Sequence, residues 1–454
     1  MSTANPVLPP NRAELLAQGE HLRQAVPHRT IAQLSTGSRD PMGIIDQQNA
    51  TRLQELVPLR TERMRQSPFA FYRGTAAIMA ADLAGEPHTG VLVPSCGDAH
   101  VANFGFYASA QRTLVFDLND FDEAAWAPWE WDVKRLVASV VIAGQSTSRD
   151  ETVVREAAVT AVRAYALAMR AAADATPLQR YYAHFEATEG TGEMHRHSRK
   201  VLDRAIAQAK KRTGERATRK LTERDERGLL QFVERPPTMT RVDPELRSLL
   251  HEMLRRYLRT AHSDISLLLS HYSPVDVIRR VVGVGSVGTR CALSLFEDGD
   301  GNTLILQSKE AGPSVLEQYG GIAQPAELRE LTHERGHGGR VVAMQRILQA
   351  LSDPFLGSLR YSTDSFGDLE LYVRQFHDMK GGIEIEEIKD EPFVTYASAC
   401  AVTLARAHAQ SPNAAQVSGY LGDGTGEDEA FYEWAQGYAQ RSRDDYDVFV
   451  ARGV

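Results

Sequence analysis

CGDAHVANFGFYASAQRTLVFDLNDFD occupies residues 96–122 and holds two polar clusters on either side of the apolar run TLVF, residues 113–116. Carboxylates this close together repel one another unless a cation lies among them, and an asparagine oxygen suits a hard metal ion. The stretch therefore predicts a magnesium-type site built around a short strand. Its candidate residues are Asp98, His100 and Asn103 before the run, and Asp117, Asp120 and Asp122 after it.

The composition indicates a globular protein with neither a nucleic-acid nor a membrane partner. With 454 residues, of which 43% are hydrophobic, the chain is long enough for two or three domains. A net charge of −8 argues against nucleic acid, because phosphate contacts require a basic surface. The longest apolar run, residues 136–144, is far shorter than the roughly 20 residues of a membrane span. Three widely spaced cysteines argue against a disulfide framework, so we expect a cytoplasmic protein: Cys96, Cys291 and Cys400.

The pattern of apolar residues changes from helical to strand-like near Asp276. Before this point, amphipathic segments predict a largely helical lobe over residues 1–275. After it, residues 277–310 alternate, turn at DGDGN and alternate again, which is typical of a hairpin. We expect a β-rich lobe over residues 276–380 and C-terminal helices over residues 381–454 that return to the first lobe. The predicted fold class is α+β.

The hairpin contains the pattern G-x-G-x-x-G at Gly283, Gly285 and Gly288, which is a weak signal by itself. A dinucleotide fold needs a helix after this pattern, whereas here a strand follows. Glycines between two antiparallel strands are typical of the glycine-rich flap of protein kinases. By this comparison, the backbone amides near Ser286 would cover the phosphates of a nucleotide. Lys309 lies 21 residues after the last glycine, where a kinase presents its phosphate-binding ammonium group. A hairpin with a surface lysine is the alternative.

The spacing of polar residues within 96–122 also agrees with a kinase-like nucleotide site. Asp98 and Asn103 form D-x-x-x-x-N, in which a kinase aspartate meets the substrate hydroxyl and the asparagine binds a metal ion. A metal-binding aspartate should then follow across a short strand. Asp117, at the end of TLVF, fits that position best.

Longer motifs carry a resemblance to known families. GDAHVANF at residues 97–104 and FDLND at 116–120 resemble the G-D-x-H-x-x-N and I-D-F-x-D motifs of aminoglycoside-phosphotransferase-like kinases. That resemblance implies Asp117 as the first metal ligand and Asp120 as the second. Most of the chain also resembles a bacterial family catalogued as domain of unknown function 2252, through four runs at residues 71–83, 96–105, 114–124 and 128–136.

The order of the motifs differs from that of an ordinary kinase. The glycine flap and lysine normally precede the catalytic loop, whereas here they follow it by roughly 180 residues. Because contacts rather than chain order decide where side chains lie, we predict a circularly permuted, two-lobe kinase-like fold. Residues 370–380 would form the last small-lobe strand and the hinge. The helix that contains residues 404–408 would begin the large lobe.

These motifs predict a role for each main candidate. Asp98 would orient the acceptor hydroxyl and receive its proton, while Asn103 and Asp117 would bind Mg²⁺. Lys309 and the amides near Ser286 would hold the phosphates of ATP.

Other roles are less sharply defined by the sequence. Lys309 needs a carboxylate to fix its position, and Glu317 is the first candidate, with Glu330 and Glu334 as competitors. Asp120 either assists a second metal ion or replaces Asp117 as the main ligand.

We therefore expect an ATP- and Mg²⁺-dependent phosphotransferase that acts on a hydroxyl of an unidentified small-molecule or protein acceptor. A nucleotide-binding pseudokinase with a regulatory role is one alternative. A metal-dependent phosphoesterase is another, but it would leave the glycine flap and Lys309 without a role. The acidic and aromatic residues from Glu123 to Asp132, including Trp126, either favour a cationic acceptor or belong to the core.

Three further features have two interpretations each. Arg73 either binds phosphate or pairs with a neighbouring carboxylate. Asp132 either caps a helix or takes part in catalysis. The charged segment 195–228 is either a solvated helix face or a docking surface for an acidic partner. His195 and His197 lack a cysteine or acidic partner in ligand register, so they are interpreted as surface residues.

Overall fold

The structure is a computed structural model that describes residues 8–186, 194–242, 244–363, 367–376, 379–422 and 424–452. Helices and antiparallel strands both contribute, so the fold is mixed α and β. His377 and Asp378, which belong to the predicted hinge, lie outside the described residues. Across the described ranges, no helix combines the length and the apolar character that a membrane crossing requires.

Six helices precede the first strand, and local capping explains where two of them begin. The side chain of Asn11 accepts a hydrogen bond from the amide of Glu14 at 3.0 Å, and Ser67 accepts one from Ala70 at 3.0 Å. The helices are α1 (Arg12–Ala25), α2 (His28–Ile31), α3 (Pro41–Ala50), α4 (Val57–Arg65), α5 (Pro68–Arg73) and α6 (Ala76–Ala84), with a 3₁₀ turn at Gln54–Leu56.

Two small strand pairs frame the acidic stretch. Strand β1 (Leu92–Ser95) pairs with β4 (Ala125–Pro128), and β2 (Phe104–Ala108) pairs with β3 (Leu114–Leu118). The β2–β3 register places Phe104 opposite Leu118. The segment before β2 and the segment after β3 therefore leave the hairpin at the same end.

A helical lobe surrounds these strands. Every residue from Trp129 to Gly144 is buried, because this helix passes through the centre of the largest hydrophobic core. The helices that follow β4 are α7 (Trp129–Ser146), α8 (Glu151–Asp174), α9 (Pro177–Tyr182), α10 (Arg196–Lys210), α11 (Gly214–Leu221), α12 (Pro244–Thr260) and α13 (Ser263–Leu269).

A six-stranded antiparallel sheet forms the second part of the molecule, in the order β11-β12-β10-β9-β8-β7. Met253 and Tyr257 of α12 pack in one core with Leu306 and Leu371 of the sheet. The region built around the sheet thus begins before the predicted boundary at residue 276. The strands are β5 (Thr222–Arg224) and β6 (Leu230–Phe232), which form a separate pair, then β7 (Met239–Arg241), β8 (Ser273–Arg280), β9 (Cys291–Glu297), β10 (Thr303–Glu310), β11 (Gly357–Thr363) and β12 (Gly367–Gln375).

The remaining helices lie between the sheet strands or after them. Helix α14 (Val315–Gln318) and the long helix α15 (Ala326–Leu348), kinked at Gly336, connect β10 to β11, and α15 packs against β11 and β12. Helices α16 (Asp390–His408), α17 (Ala414–Leu421) and α18 (Glu427–Ala451) follow the sheet and pack against α8. The end of the chain thus returns to the helical lobe.

Candidate functional site

Two distant segments meet at Lys309: residues 96–122, which we call the acidic stretch, and residues 283–288, which we call the glycine segment. The Nζ atom of Lys309, on β10, forms an ion pair with Asp122 although the two residues are 187 positions apart. Nζ also donates to the Ser286 hydroxyl at 2.9 Å, and the Tyr372 hydroxyl donates to the other Asp122 oxygen at 2.7 Å. These contacts bring the two sequence motifs to a single site.

Both partners of this ion pair are charged near neutral pH. Burial opposes ionisation of Asp122, but the ammonium group of Lys309 and two hydrogen bonds outweigh it and hold the pKa of Asp122 below its usual range. Burial likewise opposes the charge on Lys309, yet the Asp122 carboxylate raises the pKa of Lys309 above its ordinary value. The lysine is 2% exposed, so its charge depends on this partner.

A small cavity of about 130 Å³ lies beside the ion pair, and we call it the acidic cleft. Its wall combines four parts of the chain: the acidic stretch, the glycine segment, residues 310–313 at the end of β10, and residues 48–76 from α3 to the start of α6. The lining residues used below are Arg52, Arg73, Asp98, Asn103, Asp120, Asp122, Gly283, Gly285 and Ser286.

Asp98 is held from one side by an arginine of the buried helix α7. Arg135 donates to Oδ1 of Asp98 through Nε at 2.9 Å and approaches it through Nη2 at 2.7 Å. Burial raises the pKa of Asp98, while Arg135 acts in the opposite direction. Within the described residues, the second oxygen, Oδ2, accepts no hydrogen bond, but Nε2 of His100 lies 3.6 Å from it. Asp98 is 20% exposed and lines the cleft, so an incoming group can reach this carboxylate.

Asn103 is oriented by the backbone of the same loop. Its Nδ2 donates to the Asp98 carbonyl at 2.8 Å, which leaves Oδ1 as the amide atom able to bind a cation. Asp120 also lines the cleft, and its Oδ1 lies 3.4 Å from the amide nitrogen of Asp122. Asn103, Asp120 and Asp122 therefore supply oxygen atoms of the kind Mg²⁺ prefers.

The glycine segment is docked on the helical lobe rather than projecting as an open flap. The Leu53 amide donates to the Gly288 carbonyl at 2.9 Å, and Arg52 donates to the Val287 carbonyl at 2.6 Å. A Cβ atom at Gly288, whose φ is 95°, would lie 2.8 Å from the Cβ of Arg52. A side chain at this position would clash with the contact that holds the segment.

A larger cavity of about 610 Å³ shares Gly283 with the acidic cleft, and we call it the basic cavity. It lies between the β2–β3 hairpin and the sheet. Burial and the nearby Arg374 lower the pKa of Lys380 to about 8. The described lining residues include one carboxylate, Asp353, against five basic side chains: Arg63, Arg112, Arg280, Arg374 and Lys380.

The family model for an uncharacterized protein conserved in bacteria, DUF2252, matches residues 52–452. This chain belongs to the DUF2252 family. No curated protein and no solved structure matches it. The matched range includes every residue that forms the Lys309 contacts and, apart from Gln48 of the acidic cleft, the lining residues of both cavities.

In this DUF2252 protein, Asp132 has a different role from those that its sequence position suggested. The sequence offers Asp132 either as a helix cap or as a catalytic residue, whereas in the structure its carboxylate accepts hydrogen bonds from the amides of Cys96 at 2.7 Å and Gly97 at 3.0 Å. His408 of α16 lies 3.2 Å from the same carboxylate. Gly97 has a φ of 75°, and a Cβ there would lie 2.5 Å from the Glu123 carbonyl oxygen. Asp132 thus fixes the backbone immediately before Asp98.

The expected metal role of Asp117 disagrees with its position in this DUF2252 protein. Asp117 is 1% exposed, and its carboxylate accepts from the amides of Leu118 and Ala350, both at 2.8 Å. Burial raises its pKa, with Arg406 opposing. Asp117 does not line the acidic cleft, whereas Asp120 and Asp122 do. The hydrogen bonds of Asp117 join β3 to the end of α15.

The expected partner of Lys309 was wrong. Glu317, Glu330 and Glu334 are all exposed, and the carboxylate that contacts Lys309 belongs to Asp122. A partner 187 positions away leaves no local sequence signal, which explains why the nearby glutamates were preferred.

Two other candidate features are also placed by the structure. Arg73 lines the acidic cleft, and within the described residues no carboxylate pairs with it. Trp129 and Trp131 are buried in the main core, and Trp126 packs at its edge. None of these tryptophans lines either cavity described above.

Proposed function

We propose that this DUF2252 protein is an ATP- and Mg²⁺-dependent phosphotransferase that transfers the γ-phosphoryl group to a hydroxyl of a small molecule or protein. The observation that supports it most directly is the contact of Lys309 and Ser286 with Asp122. A kinase needs a lysine, a glycine segment and metal-binding oxygens around one set of phosphates, and all three converge here.

Asn103, Asp120 and Asp122 are the residues that would hold Mg²⁺. Their donor atoms are amide and carboxylate oxygens, which fit this ion. Compared with the set that the motifs suggested, Asn103, Asp117 and Asp120, this set has Asp122 in place of Asp117. When bound, Mg²⁺ neutralises charge on the nucleotide phosphates. Lys309 would share the same phosphates with the amides near Ser286.

Asp98 is the proposed base for the acceptor hydroxyl. The hydroxyl oxygen forms a bond to the γ-phosphorus, the bond from that phosphorus to the β-γ bridging oxygen breaks, and ADP leaves. The hydroxyl proton passes to Oδ2 of Asp98. Arg135 holds Oδ1 and so keeps the carboxylate aimed at the cleft.

The order of elements is compatible with a permuted kinase-like fold. Lys309 lies on the third strand of the run β8, β9 and β10, and a long helix, α15, follows it. One feature departs from the kinase pattern, because α15 places a cation, Arg340, beside the site. Arg340 donates to the carbonyls of Asp122 and Gly312 instead of offering a carboxylate to Lys309.

The basic cavity favours a second candidate function, nucleotidyl transfer. Five cations suit a polyphosphate better than a nucleobase. If the terminal phosphates occupy this cavity, the α-phosphorus lies at the acidic cleft. The acceptor hydroxyl oxygen then bonds to the α-phosphorus, the bond to the α-β bridging oxygen breaks, and pyrophosphate leaves. The hydroxyl proton passes to Asp98, as in phosphotransfer.

Labelled ATP separates these possibilities. The purified full-length protein is incubated with Mg²⁺, a bacterial extract as the source of acceptors, and ATP labelled at either the α or the γ position. Transfer of γ label supports phosphotransfer, and transfer of α label supports nucleotidyl transfer. Magnesium-dependent ATP binding without any transfer supports a pseudokinase, and phosphate release from a monoester without nucleotide supports a phosphoesterase.

The variant Asp98→Asn tests the proposed base. We expect it to bind ATP normally and to lose transfer by about 10²-fold or more. Asp203→Asn is the matched control, because Asp203 is an exposed residue of α10. Equal transfer by the Asp98 variant and the control would exclude Asp98 from the chemistry.

A further inference from the structure

A second group of metal-ligating side chains lies outside both cavities, where α10 meets α16. His195, His197 and Glu391 each offer one ligand atom, and these atoms all lie within 4.8 Å of one another. The two imidazole rings have centroids 5.3 Å apart, and Nδ1 of His195 is 3.1 Å from Oε2 of Glu391. Glu391 is the acidic partner that the sequence did not reveal for the histidine pair.

The start of α10 explains how residues two positions apart can face the same point. His195 is the N-cap, with an extended ψ of 147°, so its side chain leaves the chain before the helix begins. His197 is already within the first turn. Its amide donates only a long hydrogen bond, 3.4 Å, to Nδ1 of His195, and a metal ion on that nitrogen would replace it.

The carboxylate is fixed in place by neighbouring hydroxyl groups. Ser198 donates to Oε1 of Glu391 at 2.5 Å, and Thr395 lies 3.3 Å from the same oxygen. The other oxygen, Oε2, is shielded from solvent and faces Nδ1 of His195 at 3.1 Å. Carboxylates that bind metal ions are commonly oriented by hydrogen bonds from neighbouring groups. Here those bonds hold one oxygen of Glu391, and the other oxygen faces the histidines.

We propose that His195, His197 and Glu391 form a binding site for a divalent transition metal ion, best suited to Zn²⁺. Two imidazole nitrogens and one carboxylate oxygen match the ligands of zinc, and water would fill the remaining position. Ligand atoms around tetrahedral zinc lie about 3.3 Å apart, given metal–ligand distances near 2 Å. The two histidines are exposed, so small rotations of their rings can reach that geometry.

A metal ion here would add an anchor at the start of α10, a helix whose Leu202 and Ile206 pack against Phe106 and Leu114 farther along. The buried residues of α10 are small, namely Ser198, Ala205 and Ala209. Beyond the helix, the Arg212 carbonyl accepts a hydrogen bond from the Met379 amide at 2.9 Å, next to Lys380 of the basic cavity. The site would therefore tie the wall of that cavity to α16.

Zinc titration of the tag-free, EDTA-treated full-length protein tests the proposal. Isothermal titration calorimetry should show one equivalent of Zn²⁺ bound. His195→Ala, His197→Ala and Glu391→Gln should each weaken binding by about tenfold or more, and Ser198→Ala by a smaller factor. Co²⁺ should give visible absorption bands in the wild type that disappear in the His195→Ala/His197→Ala double variant.

His184→Ala is the matched control. His184 lies 3.6 Å from Glu186 and so has one acidic neighbour, but it belongs to no described three-residue cluster. Zinc affinity should be unchanged in this variant. Absence of zinc binding in the wild type, or equal affinity in the double variant and the wild type, would overturn the proposal. Neither result depends on ATP binding or transfer.

Discussion

The ammonium group of Lys309 contacts the carboxylate of Asp122, and this contact joins the β-rich region to the acidic stretch of the helical lobe. Lys309 is almost fully buried, and its Nζ also donates to the Ser286 hydroxyl, while the Tyr372 hydroxyl donates to the same Asp122 carboxylate. A buried charge pair costs desolvation on both sides and is retained only if its geometry is good. Here the carboxylate of the pair, Asp122, also lines the acidic cleft.

Removing only one member of this pair should be more damaging than removing both. Lys309→Met leaves the Asp122 carboxylate without its cation, so we expect the free energy of unfolding to fall by about 3 kcal/mol. The double variant Lys309→Met/Asp122→Asn should recover part of that loss, because no unpaired charge remains. Urea denaturation measures both values, and Lys389→Met, on an exposed residue, is the control. Additive effects of the two substitutions would show that the pair is not coupled.

Asp132 should control the conformation of the loop that carries Asp98. Asp132→Asn replaces one accepting oxygen by an amide group, which cannot accept from both Cys96 and Gly97. We expect a loss of roughly 2 kcal/mol in unfolding free energy and faster hydrogen exchange at these two amides. Asp150→Asn is the control, because Asp150 is exposed and makes no side-chain capping bond. Unchanged exchange at Cys96 and Gly97 would contradict the positioning role.

Local spacing predicted part of the site and long-range contacts determined the rest. Asp98 and Asn103 lie within one short loop, so the spacing of the two residues in sequence nearly fixes the distance between them. The orientations of Asp117 and Asp122 were less predictable, because β3 ends at Leu118, between the two residues. Beyond a strand end, side chains no longer alternate between two faces, so sequence alone does not reveal which carboxylate faces the cleft.

In the fold, too, local elements were predictable from the sequence and long-range packing was not. The hairpin of β9 and β10 was predictable from alternation and the DGDGN turn, and the structure pairs Thr303 with Glu297 across it. The packing of α12 on the sheet was not predictable, because an amphipathic sequence shows that one face of a helix is buried but not which element covers that face. Helix α12 was therefore assigned to the helical lobe, whereas its apolar face packs against Leu306 and Leu371.

Asp117 and Asp120 should respond differently to substitution. Asp120→Asn removes a proposed Mg²⁺ ligand, so we expect ATP affinity measured with Mg²⁺ to fall about tenfold and affinity in EDTA to change little. Asp117→Asn disturbs two buried amide contacts and should lower the unfolding free energy by about 1–3 kcal/mol. Its magnesium-dependent ATP affinity should stay near the wild-type value. The reverse pattern would restore Asp117 as the metal ligand.

The pH dependence of ATP binding should report the ionisation of Lys380. Burial and the adjacent Arg374 lower its pKa from 10.5 to about 8, so the side chain loses its positive charge between about pH 7 and 9. If ATP occupies the basic cavity, its affinity should decrease several-fold over this interval, because a cation facing the phosphates is lost. Lys380→Gln should bind ATP more weakly at pH 7 and show a flatter profile. Calorimetric titration at several pH values measures this difference.

Two further measurements distinguish a charge effect in the cavity from a change in folding. Lys380→Arg keeps its charge at pH 9, so its ATP affinity should not follow the wild-type decrease. Protein stability should change in the opposite direction, because the folded state binds the Lys380 proton more weakly than the unfolded state does, and stability therefore rises from about pH 8 towards 10.5. This rise should be absent in Lys380→Gln. Parallel losses of affinity and stability in the wild type would show that partial unfolding, rather than the lost charge, weakens ATP binding.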